Sequence, residues 1–161
     1  MGNGGVIEHS DLISSEMAAI VRRRIATNYL HHALPGLPSE AIARIFPEFA
    51  IETREAGSLV IREGDTGERF YIVVNGFVLV TRGTAETGIE ELARLHSGEY
   101  FGEIGLLTDS PRTATVAISD DGPATLLSTD RKGFQLILHA SDEVAEDLAQ
   151  TMLRRISEFS S

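Results

Sequence analysis

The sequence contains no cysteine, which excludes disulfides and thiolate metal sites but does not by itself fix the compartment. No apolar run approaches the ~18 residues of a membrane-spanning helix, so no membrane insertion is expected. Residues 1–10 lack both a basic start and an apolar stretch, so no secretory signal is expected and the chain reads as cytoplasmic. Positive charge is scarce: 14 Lys and Arg stand against 24 Asp and Glu, a net charge of −10 at pH 7. Such a chain repels nucleic acid at long range, and any anion it binds must be met by a local device.

The motifs of catalysis are missing as well. There is no G-x-S-x-G, no P-loop and no plausible Ser/His/Asp set. The histidines (His9, His31, His32, His96 and His139) show neither HExxH spacing nor an H-x-H plus Glu arrangement, so no metal site and no cofactor is expected. No internal repeat or low-complexity segment is present.

What is there is one domain's worth of chain, 161 residues with 42% apolar content. Residues 1–9 are Gly-rich and polar and read as frayed. Leu12, Ile13, Met17, Ile20, Val21, Ile25 and Tyr29 fall at helical steps, predicting a helix from an N-cap at Ser10 to about Leu34. Pro35-Gly36-Leu37-Pro38 stops it. Arg22, Arg23 and Arg24 read as a solvated face, with a basic contact for an acidic partner or membrane as the alternative. Ser39 reads as the N-cap of a short helix with Ile42, Ile45 and Phe46 inward and Pro47 closing it.

From Glu48 to about Thr129 the chain reads as β. Runs at 49–54, 59–62, 69–74, 77–82, 89–96, 113–118 and 124–128 are separated by Gly-, Asp- and Ser-rich turns. Asn75-Gly76 carries the signal of a two-residue hairpin, since a type I′ turn needs φ > 0 at both positions. Gly83–Gly88 is a polar loop. Asp65, between Gly64 and Gly67, is a turn-stabilising residue, a metal ligand being the lesser alternative. Thr129 or Asp130 caps a helix carrying Phe134, Ile137 and Leu138. Ser141 caps a last helix with the stripe Val144, Leu148, Met152, Ile156 and Phe159. Asp142 and Glu143 in its first turn, and Arg154 and Arg155 in its last, match the helix dipole.

Within the β region, Phe101-Gly102-Glu103-Ile104-Gly105-Leu106-Leu107 leads through Pro111 to Arg112-Thr113-Ala114. Gly102 lets backbone approach a ligand closely. Glu103 can accept from sugar hydroxyls. The amides of Ile104 and Gly105 point at an anion if they open a helical turn. Arg112 is a planar, permanently charged fork suited to phosphate. An acid for hydroxyls beside a base for phosphate suggests a sugar phosphate lying between them.

This stretch resembles the phosphate-binding cassette of cyclic nucleotide-binding domains. Upstream, Gly64-Asp65-Thr66-Gly67-Glu68-Arg69-Phe70-Tyr71-Ile72-Val73-Val74-Asn75-Gly76 is similar to a second segment of that family. The resemblance covers roughly residues 38–158. It implies a mainly β fold with flanking α: an eight-stranded antiparallel β-roll or jelly-roll barrel, with N-terminal helices, a short cassette helix and two C-terminal helices. Residues 1–37 are then a helical extension and 38–161 the binding domain. It implies a site of Gly102, Glu103, Ile104, Gly105, Arg112 and Thr113. Arg112 takes the cyclic phosphate with the Ile104 and Gly105 amides, and Glu103 takes the ribose 2′-hydroxyl beside the Gly102 amide. A hydroxyl at Thr113 can accept from the 2-amino group of a guanine held syn, which favours cGMP slightly over cAMP; an ordinary strand threonine is the alternative. Gly105 matches bacterial regulators rather than kinase subunits.

The resemblance further implies a non-catalytic sensor of a 3′,5′-cyclic purine nucleotide whose last helix closes over the base. Met152, Leu153 and Ile156 are candidates for that lid, and Arg154 or Arg155 for reaching the purine. The chain ending at Ser161 leaves no room for a DNA-binding module and suggests a covalently linked output domain, such as a diguanylate cyclase, kinase or channel. A homodimer through the apolar helical stripes is a further expectation. A ligand-free scaffold of the same fold, a fragment of a catabolite-activator-type regulator and a cupin-like enzyme are the rival readings.

Overall fold

A computed structural model describes residues 9–86 and 88–159, with side chains from residue 14. The backbone of Ser10 is already helical, so Ser10 stands inside the first helix and not at its cap; the Gly-rich start and the side chains of Leu12 and Ile13 lie outside the described residues. Among these, the chain order begins with α1 (His9–Ala33), α2 (Ser39–Ile45), a 3-10 turn (Phe46–Glu48), β1 (Ala50–Arg54), β2 (Leu59–Ile61), β3 (Phe70–Asn75) and β4 (Val78–Thr84). It continues with β5 (Gly88–Leu95), β6 (Tyr100–Phe101), α3 (Glu103–Thr108), β7 (Thr115–Ile118), β8 (Ala124–Thr129), α4 (Arg131–Ala140) and α5 (Asp142–Phe159).

The strands form two antiparallel four-stranded sheets, ordered β1-β8-β3-β6 and β2-β7-β4-β5. This is the expected mainly β fold with flanking helices. Apolar residues from both sheets, among them Ile61, Val73, Val80, Val116 and Leu126, meet between them. The outer face of the first sheet is covered by helices: Phe70, Ile72 and Leu127 share a cluster with Leu30, Ile42, Phe134, Ile137 and Leu148. β3 therefore buries both faces, which is why its run Phe70–Val74 is apolar without alternation.

The helices otherwise follow the sequence with three further corrections. Pro38, not Ser39, is the N-cap of α2, and no side chain caps that end. The proline's φ of −66° and extended ψ already set the entry, so Ser39 joins the helix. In α5 the last turn holds no basic residue, because the helix runs on to Phe159, one turn past Arg154 and Arg155. Residues 14–24 of α1 are exposed at every position, Met17, Ile20 and Val21 included, so the predicted stripe packs only from Ile25 onward. Arg23 lies 5.2 Å from the Phe46 ring centroid, a contact within its own chain. Asp130 caps α4 through the Gly133 amide at 3.1 Å, and Ser141 accepts from the Val144 amide at 3.2 Å.

Asn75-Gly76 is not a hairpin turn. β3 pairs with β6 and β8, whereas β4 pairs with β5 and β7, so the dipeptide carries the chain from one sheet to the other. Gly76 has φ +87° but Asn75 stays in the strand, so the two positive φ angles of a type I′ turn are not both present. The glycine serves close approach instead: a Cβ there would stand 2.7 Å from the Pro123 carbonyl oxygen and 2.8 Å from Ala124 Cα. The loop after β4 is also shorter than predicted. Thr84 pairs with Gly88, which leaves 85–87 as the connection.

Candidate functional site

The break between β6 and α3 positions the site. Gly102 adopts φ +97°, ψ −4°, a left-handed conformation that turns the chain directly into α3. A Cβ at that position would lie 2.6 Å from the Arg69 carbonyl oxygen, so two backbone segments can meet only over a glycine.

Glu103, the first residue of α3, is 1% exposed. Both its carboxylate oxygens accept from Arg155 Nη1 of α5, Oε2 at 3.0 Å. The same guanidinium lies 5.3 Å from the Tyr100 ring centroid. Burial pushes the Glu103 carboxyl above its ordinary value, with Arg155 pulling the other way.

Arg112 is 8% exposed and held by main chain. Its Nη1 donates to the Gly102 carbonyl and its Nη2 to the Arg69 carbonyl, both at 2.8 Å. Its own amide donates to the Asp65 carbonyl and its carbonyl accepts from the Gly64 amide, each at 2.8 Å. The Gly64–Gly67 loop exists in this form because Gly67 has no side chain: a Cβ there would sit 1.9 Å from Arg112 Nε. At Gly105 a Cβ would stand 3.0 Å from Arg112 Nη1, so any larger residue presses on the guanidinium. Burial lowers the pKa of Arg112, yet a guanidinium remains charged throughout the physiological range.

Gly102, Glu103, Ile104, Gly105, Arg112 and Thr113 all line one narrow cleft with a cavity volume of about 50 Å³. Thr113 is exposed at its edge. The opposite wall is apolar, with Ile61, Val80, Leu95 and Val116, and Phe159 at the end of α5 reaches in. A charged floor under an apolar wall suits a ligand with an anionic end and a flat apolar end.

Of the helix residues expected near the cleft, the structure places Arg155 there. Leu153 is 62% and Ile156 37% exposed, and neither lines the cleft. Phe159, expected only in a packing stripe, lines the cleft as well. The missed signal is spacing: Arg155 falls seven residues after Leu148 and four before Phe159, a lone charge inside an apolar face. The main-chain grip on Arg112 by residue 69 had no sequence signal, because any residue supplies a carbonyl.

Residues 51–141 match the family described as cyclic nucleotide-binding domain. The chain is 40% identical over 91 residues to a cAMP-dependent protein kinase regulatory subunit of Dictyostelium discoideum, covering 55% of this chain and 27% of that protein. It is 33% identical over 116 residues to cGMP-dependent protein kinase 2 of Mus musculus, covering 71% and 15%. It thus spans well under half the length of these relatives. Among solved structures, the regulatory domain of Toxoplasma gondii PKA with cAMP superposes with a TM-score of 0.71 at 26% identity, over 83% of this chain and 52% of that one. The Thermus thermophilus catabolite activator protein gives 0.66 at 30% identity, over 79% and 59%. The fold, the cassette sequence and these likenesses agree: the chain belongs to the cyclic nucleotide-binding domain family.

Proposed function

We propose that this chain is a non-catalytic sensor module that binds a 3′,5′-cyclic purine nucleotide in the cleft between the cassette and the apolar wall. The observation that carries the reading is Arg112, buried at the cleft floor and fixed by two carbonyls, with N–H groups left over for an anion. The cyclic phosphate sits against Arg112 and the amides of Ile104 and Gly105. The ribose 2′-hydroxyl meets Glu103 and the Gly102 amide. The purine lies along the apolar wall under Phe159. A charge-assisted hydrogen bond contributes about 1.5–3 kcal/mol, so a two-point grip supplies much of a micromolar affinity, roughly 8 kcal/mol.

Thr113 at the mouth favours cGMP slightly, with cAMP close behind; relatives named for each nucleotide are both similar to this chain. The binding domain runs over 38–161, with 1–37 as a helical extension whose end docks on it. α5 is the moving part. It meets the cassette through Arg155 and Glu103 and carries the signal toward a covalently linked output domain, a diguanylate cyclase being one type. Ligand shifts α5 only by binding one position more tightly than another. Cytoplasmic placement and a homodimer belong to the same reading.

The test is calorimetric titration with cAMP and cGMP against wild type and Arg112→Ala. Wild type should bind at least one of them and the variant should lose at least tenfold; equal affinity in the variant overturns the site. A second reading, a ligand-free scaffold of the same fold, is favoured by one observation: Arg155 already occupies the carboxylate meant for the ribose. That reading predicts no heat with either nucleotide, in wild type or in Arg155→Ala.

A further inference from the structure

One hydroxyl is buried away from the cleft in a place where packing alone would choose an apolar side chain. Ser128 of β8 is 0% exposed and sits between Ala50 of β1 and Tyr71 of β3. A buried hydroxyl is costly unless bonded. This one is bonded in both directions: it accepts from Arg69 Nη2 at 2.8 Å and donates to Glu52 Oε1 at 2.6 Å. The second Glu52 oxygen accepts from Arg54 Nε at 2.9 Å. Burial alone would raise the Glu52 carboxyl; the bonds from Ser128 and Arg54 outweigh it and hold it below the ordinary carboxylate value.

The relay ends at residue 69, and residue 69 is where Arg112 is held. The Arg69 carbonyl accepts from Arg112 Nη2, while its side chain is tied to Ser128. Neither Ser128 nor Glu52 lines the cleft, and their hydrogen-bonded link to it runs through Arg69 to Arg112. A guanidinium is planar, so fixing two of its N–H groups on carbonyls fixes the direction of the others.

We infer that Glu52, Ser128 and the Arg69 side chain form a positioning network for Arg112, which sets the angle at which its free N–H groups meet a phosphate and so lets the site distinguish the two exocyclic phosphate oxygens. The inference rests on the cyclic nucleotide reading for its ligand, but the ordering of Arg112 is a property of the free protein. Binding sites keep their geometry when outer hydrogen bonds lock the inner rotamers, and this network is such a support.

Two measurements test it, on wild type, Ser128→Ala, Ser128→Thr and Arg69→Met. The first is nitrogen-15 NMR of the Arg112 side chain without ligand. Wild type and Ser128→Thr should show separate, slowly rotating Nη groups, and Ser128→Ala and Arg69→Met averaged ones. The second is titration with the two diastereomeric phosphorothioates of cAMP and of cGMP. Ser128→Ala should lose roughly fivefold in affinity for the better diastereomer and narrow the ratio between the two, with Ser128→Thr restoring both. Unchanged Arg112 signals in Ser128→Ala and Arg69→Met, or an equal loss for both diastereomers, overturn the network. If wild type binds no cyclic nucleotide, the sensor reading fails on that result, while the ligand-free spectra still judge the positioning of Arg112.

Discussion

Arg155, one turn from the end of α5, donates to both carboxylate oxygens of Glu103, the first residue of the cassette helix. Side-chain exposures of 11% and 1% make this a buried pair. It is the polar bond between the element expected to move and the element expected to hold the sugar. Removing one partner leaves the other charged group without water or counterion, which is costly.

Arg155→Ala should therefore destabilise the domain by about 3 kcal/mol. The pH dependence has a definite sign. The Glu103 carboxyl is raised in the folded state, and loss of Arg155 raises it further. Folded protein then holds the proton longer than unfolded chain, so stability falls as pH rises through the raised value and recovers on acidification. Thermal melts of the variant should approach wild type at low pH and diverge toward neutrality. A deficit independent of pH would rule out an unpaired carboxylate as the cause. The double variant Glu103→Gln, Arg155→Met should regain most of the loss.

Gly67→Ala is a backbone-neutral substitution by conformation, since Gly67 is not among the positive-φ glycines. Its Cβ would nevertheless collide with Arg112 Nε at 1.9 Å. The guanidinium must move, so affinity for cyclic nucleotide should drop at least tenfold, with about 1–3 kcal/mol of stability lost to overpacking. Adding Arg112→Ala to Gly67→Ala should cost little more, because both act on one group. Additive losses in calorimetry would show that Gly67 acts elsewhere.

Thr113→Ala separates the purines. Thr113 stands exposed at the cleft edge; in the proposed reading its hydroxyl accepts from a guanine 2-amino group, an atom adenine lacks. Side-by-side titration should show cGMP weakened by about fivefold and cAMP hardly changed. Equal effects on both would remove Thr113 from purine selection.

Gly133→Ala probes the fold alone. A Cβ there would lie 1.8 Å from Thr129 Oγ1, and that hydroxyl is already committed to the Glu48 carbonyl at 2.8 Å. Neither side can yield, so the substitution should cost about 2–3 kcal/mol in denaturant melts. A loss below 0.5 kcal/mol would mean α4 slides freely along the sheet.

The parts that were legible in the sequence share a local cause. The cassette announces itself because Gly102, Glu103, Arg112 and their spacing are each demanded by local geometry: a left-handed turn, a helix start and a loop closed by Pro111. Strands and helices followed from periodicity in the same way. What failed was long-range. Asn75-Gly76 carries every short-range mark of a hairpin, yet partners for β3 and β4 are chosen by residues far along the chain. Phe159 reaches the cleft only because α5 folds back over the barrel, whereas Arg155, expected there beside Arg154, is set apart from it by falling on the apolar face of α5. Arg69 contributes a carbonyl to the site, and its residue type carries no trace of that.

Residues 14–24 of α1 are exposed, with Arg23 reaching back over the Phe46 ring, whereas from Ala26 the same helix is seated in the core. A free helical stretch of this length is marginal in water. One continuous rod thus has two regimes of persistence. Its outer turns open and close by themselves, on the time scale of an isolated peptide. Its inner turns come apart only when the whole domain does, so hydrogen exchange along α1 steps sharply between Arg24 and Ala26 rather than grading from one end to the other.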